Sequence, residues 1–166
     1  MRFSSIIVSL GVVIILVTSN VVRSEAERQV TTDAITYNVE MSLGFDEAII
    51  RVLEELKTEK FGIVSRIDLH TTFKKKLGVD IPPHTILGAC NPKLAHKAVS
   101  NMPEAAIMLP CNVTVQAAGE KRTIVRIVRP IAVMIGAGLE KNLIVREVGE
   151  EADTKLKRVA QALSAH

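Results

Sequence analysis

Between residues 41 and 45 the apolar residues of this chain change period, and that switch restricts it to folds in which helices cover a sheet. Ile35, Tyr37, Val39 and Met41 alternate with Thr36, Asn38 and Glu40, as in a strand with one dry face. Gly44 breaks the run. Phe45, Ala48, Ile49, Val52, Leu53 and Leu56 then recur at offsets of 0, 3, 4, 7, 8 and 11, one face of an α-helix. Asp46 and Glu47 fall in its first turn, opposite in sign to the positive end of the helix dipole, and Glu47 is spaced to pair with Arg51. Hydrophobic residues make up 48% of the chain but aromatics only 3%, so the core must be built from Ile, Val, Leu and Ala.

The same reading continues along the chain. Gly62 opens a second strand, Ile63 to Leu69, and a short helical turn over Thr72 to Leu77 ends at Gly78. Pro82-Pro83 excludes helix and marks a turn before a third strand, Thr85 to Ala89. Asn91-Pro92 is a helix start, with Asn as cap and Pro in the first helical position. Leu94, Ala95, Ala98, Val99 and Met102 form that helix's apolar face, and Pro103 halts it. Ala105 to Gln116 reads as a long strand bent at Pro110, and Arg122 to Arg129 returns beside it after a turn at Gly119-Glu120. Ile131 to Gly138 is apolar without a readable period and is too short to cross a membrane. A final helix from about Glu150 carries Ala152, Leu156, Val159, Ala160 and Leu163 at helical spacing. The order β-α-β-β-α-β-β-α predicts an α+β domain, an antiparallel or mixed sheet with helices on one face, of ferredoxin-like or TATA-binding-protein-like kind.

Ahead of the domain, Met1-Arg2 gives a positive start and Ile6 to Val17 an almost unbroken apolar run, with small residues at Ser24 and Ala26. That is the length of a signal-peptide core and falls short of the roughly 20 residues of a comfortable membrane span. Residues 1–26 are therefore read as a signal peptide or uncleaved membrane anchor, 27–34 as a polar linker, and 35–166 as the α+β domain. The protein is then expected outside the cytoplasm, in the periplasm or anchored on the outer side of the inner membrane. Any membrane contact is expected through the N-terminal segment alone. Net charge is only +3, with both signs interspersed, and there is no Trp. Without a basic stripe or a stacking platform, nucleic acid is not an expected partner.

Two cysteines carry what chemistry the residues suggest. Cys90 ends a predicted strand directly before the helix capped by Asn91, where unpaired N–H groups favour a thiolate, so a lowered pKa is expected. On ideal alternation Cys111 shares a face with Ile107, Leu109, Val113 and Val115, the setting of a core residue, although Pro110 interrupts that pattern. Four readings stay open: two small buried side chains, a reactive or redox pair, a structural disulfide, and metal ligation. The disulfide requires neighbouring strands with Cα atoms within about 7 Å. The spacings of Cys90, His96 and Cys111 match no standard zinc pattern, so no metal site is expected. His70, His84 and His96 are the available bases. Lys74-Lys75-Lys76 is a solvated face or an anion site. Phosphate loops, nucleophile elbows, paired-His metalloprotease helices and CxxC motifs are absent.

The segments Lys76-Leu77-Gly78-Val79-Asp80, Ile86-Leu87-Gly88-Ala89-Cys90-Asn91-Pro92, Ala95-His96-Lys97-Ala98 and Leu109-Pro110-Cys111-Asn112-Val113 resemble the domain-of-unknown-function family 302 over roughly residues 37 to 129. The resemblance implies a compact prokaryotic α+β domain, a homodimer, and no agreed activity or cofactor. It carries Cys90, Asn91, Cys111 and Asn112 over as a ligand-binding site, with Lys76 as an addition. The leading expectation is thus an exported domain binding a small anionic or sulfur-containing ligand near Cys90 and Cys111. The alternatives are a thiol-dependent redox enzyme with Cys90 as nucleophile, and a structural dimerisation module with no site.

Overall fold

The computed structural model describes residues 30–165, so the leader assigned to residues 1–26 lies outside the described residues. The strands are β1 (Thr31–Thr32), β2 (Thr36–Met41), β3 (Gly62–Asp68), β4 (His84–Cys90), β5 (Cys111–Gly119) and β6 (Arg122–Val128). The helices are α1 (Phe45–Thr58), α2 (Leu69–Leu77), α3 (Pro92–Asn101), α4 (Pro130–Gly136) and α5 (Leu143–Ser164), with 3₁₀ turns at Pro103–Met108 and Leu139–Lys141. All strands join one antiparallel sheet in the order β1-β2-β6-β5-β4-β3. The α+β class and the antiparallel sheet are as the sequence predicts.

Alternation explains which face is covered. Tyr37, Val39 and Met41 of β2, Leu87 and Ala89 of β4, Val113 and Val115 of β5, and Val125 and Ile127 of β6 are all buried on one side. Onto that side α1 lays Ala48, Ile49, Val52 and Leu56, and α5 lays Val145, Ala152, Leu156, Val159 and Leu163. The helix α2 lies against β3 and β4 with none of its residues buried. No helix among the described residues is long and apolar enough to cross a membrane.

Four local differences have physical reasons. Thr31–Thr32, in the segment read as linker, pairs with Asn38 and Tyr37 of β2. Residues 105–109 are not strand: proline lacks the N–H a ladder needs, so β5 begins only after Pro110, and the preceding stretch coils as a 3₁₀ turn. The Leu109–Pro110 peptide is cis. Residues 130–136, which show no period, form α4. The last helix begins at Leu143, where the Asn142 side chain accepts from the Ile144 and Val145 N–H groups at 3.1 Å. Gly149, just ahead of the expected start, lies inside that helix. A Cβ there would come within 2.9 Å of the Met134 Sδ and Cε, so the glycine lets the thioether end of Met134 lie against α5.

Tyr37 ties sheet to helix. Its hydroxyl donates to Asp153 Oδ2 at 2.6 Å while Arg129 stacks over its ring at 5.4 Å. Burial, then the Asp153 carboxylate, hold the phenol above its ordinary pKa. Asp153 Oδ1 has no partner of its own. Tyr37→Phe strips the carboxylate of this donor and is expected to cost about 1–3 kcal/mol in urea unfolding. A loss under about 0.5 kcal/mol would show that solvent replaces the bond.

Candidate functional site

At the end of the sheet where β4 stops and β5 starts, the chain leaves a cavity of about 270 Å³. Its position follows from Pro110. Because the ladder cannot extend through that residue, the 3₁₀ turn at 103–108 swings away and becomes a wall, facing α3, α4 and α5. Gly88 makes the close approach possible: a Cβ there would overlap Ser65 Oγ and lie 2.6 Å from Pro110 Cγ. Cys90, Asn91, Cys111 and Asn112 all border this space.

Their chemistry differs from the expectation. Cys111 sits opposite Ala89 in the β4–β5 register, and Cys90 follows Ala89, so the two residues lie on neighbouring strands. Both are free thiols, which removes the disulfide and the reading of them as a bonded pair. Burial pushes Cys90 above the ordinary thiol value, reversing the expected effect of the helix start. Burial, and then the nearness of Cys90, push Cys111 up to about 11. At neutral pH both sulfurs are protonated.

Asn91 has its polar groups occupied. Its Oδ1 accepts from the Leu94 N–H at 3.3 Å, capping α3, and its Nδ2 donates to the Glu59 carbonyl at 3.5 Å, so the residue joins α3 to the end of α1. Asn112 is exposed at the rim. Lys76 is not brought here; it is exposed on α2, which packs against β3 and β4 and contributes nothing to the cavity wall. None of the three histidines lines the cavity either. His84 starts β4, about 20 Å along the strand from Cys90, and its backbone N–H donates to His70 Nδ1 at 3.1 Å. His96 is exposed on α3 and reaches Ser100. No cluster of three or more His, Cys, Asp or Glu able to hold a metal ion occurs among the described residues.

Sequence reasoning missed Met108, Val133, Met134, Val148 and Ala152 as cavity residues. The sequence offered no signal for them, because the final helix reads only from about Glu150 and residues 131–138 show no period.

Comparisons with known proteins agree with this architecture. No curated protein matches the chain significantly. A crystal structure of an uncharacterized conserved DUF302 protein from Bacillus stearothermophilus superposes with a TM-score of 0.67 at 25% identity, covering 77% of this chain and 97% of that one. The family profile described as "Domain of unknown function DUF302" matches residues 37–163, from β2 to the last turn of α5. The chain belongs to the DUF302 family.

Proposed function

We propose that this domain binds a small neutral molecule, apolar or sulfur-containing, in the cavity beside Cys90 and Cys111. The observation that supports the reading is the wall itself: every side chain bordering the cavity is uncharged, and most are aliphatic or thioether. An anion would enter without a cation to meet it, so the anionic ligand expected from the sequence is not favoured. A thiol enzyme is also disfavoured, because a nucleophilic Cys needs a thiolate or an adjacent base, and this cavity supplies neither.

A second role rests on the sheet edges. One edge is the two-residue, polar β1, which pairs with Tyr37 and Asn38 of β2. The other is β3, seven residues long and exposed along nearly its whole length, with Ile63, Val64 and Ile67 at 37%, 65% and 47% exposure. It carries no lysine or proline, and its guards are a bulge between Ile63 and Ser65 and the charges of Arg66 and Asp68. Antiparallel pairing of two β3 strands about a centre other than Arg66 keeps each Arg66 off its own copy. We propose a two-fold dimer through this edge.

Three measurements check these readings. Xenon is expected to enter the cavity and give a saturable ¹²⁹Xe shift that Ala98→Phe abolishes; a shift indistinguishable from bulk water would sink the cavity reading. Native-state alkylation of Cys111 at pH 8 should run roughly a hundredfold slower than that of a free thiol, rising about tenfold per pH unit toward pH 11. Fast labelling at neutral pH would restore the enzyme reading. In sedimentation equilibrium the wild type should be a dimer and Val64→Lys a monomer with an unchanged circular dichroism spectrum; equal masses would remove β3 from any interface.

A further inference from the structure

The ligand class can be narrowed further, on the proposal above that the cavity is a binding site. We infer that it takes an unbranched hydrocarbon chain, with the polar end of the molecule left at the mouth beside Asn112.

The walls exclude other classes in turn. No Phe, Tyr or His is among the described residues bordering the cavity, so an aromatic ring would gain no stacking there, only contact with aliphatic groups and the Met108 and Met134 thioethers. Asn91 is the only amide inside, and its two ends are occupied by Leu94 N–H and the Glu59 carbonyl. A sugar or nucleoside would therefore lose its water hydrogen bonds without replacement. The thiols are neutral and polarizable and tolerate methylene contact. Packed at the density of a protein interior, about 0.74, 270 Å³ holds on the order of ten carbon atoms.

The mouth is apolar as well. Ile107, which borders the cavity, is 84% exposed. An alkyl chain would thus meet hydrocarbon before it enters. The same chemistry is presented by a free long-chain alcohol and by a lipid tail in a membrane, and the test separates the two.

Full-length protein would be titrated calorimetrically with straight-chain 1-alkanols from four to fourteen carbons. Affinity is expected to rise about fourfold per methylene and to level off near ten carbons. Ala95→Phe, a half-exposed wall position on α3, should reduce decanol affinity at least tenfold; if that variant misfolds, Ile107→Asp at the mouth is the substitute. No dependence on chain length, or an unchanged affinity in both variants, overturns the inference. Xenon uptake without alkanol binding would leave the cavity reading standing and remove only the chain, whereas loss of both removes the two together. In vesicle flotation with neutral phospholipid the wild type and Ile107→Asp share one leader. A difference between them identifies membrane lipid as the source of the chain, and equal flotation with decanol binding retained identifies a free ligand.

Discussion

A sheet with one dry face governs this molecule. The registers align Tyr37, Ile127, Val113 and Leu87 in one row across four strands, and Val39, Val125 and Val115 in the next. A slip of one residue in any strand would turn its buried set to the solvent, so the hydrophobic effect sets the register and the register sets where each strand ends. Thr85 completes the second row as a polar member and is satisfied there by donating to Asp68 Oδ1 at 2.5 Å. That hydrogen bond keeps the Asp68 carboxyl below its ordinary pKa.

The cavity arises where this regularity stops. Pro110 ends the ladder, Gly88 lets the proline ring sit close, and the residues between α3 and β5 become wall instead of strand. On the other side Gly149 lets the thioether end of Met134 lie against α5. A glycine thus permits the close packing on each side, and the space left between the walls is lined by uncharged side chains.

Much of the fold was legible because it follows from period. The strand alternation of Tyr37, Val39 and Met41 and the helical spacing of Ala48 to Leu56 are local, and burial reinforced both. The Asn91 cap could also be read, since its side chain bonds only a neighbour in sequence and one nearby carbonyl. What could not be read depended on competition. Ala105, Ile107 and Leu109 alternate like a strand, but the alternation does not register the N–H lost at the next residue, Pro110. The site was half legible for the same reason. Placing Cys90 before a helix predicted a lowered pKa from the dipole, whereas burial proved the larger effect, and burial is a property of the surrounding elements. Lys76 entered the expected site only as an addition that the family resemblance brought, and the fold carries it to α2, outside the cavity wall.

The unequal edges of the sheet limit how large an assembly could grow. Strand addition needs an open rim at each end to propagate, as it does in a fibril. Here the described residues offer one long rim, β3, and at the opposite side a two-residue polar strand. Joining two such sheets rim to rim consumes the long edge of both, and what remains outward is the short one. In the proposed dimer the joined sheet would count twelve strands, six of the described strands from each chain.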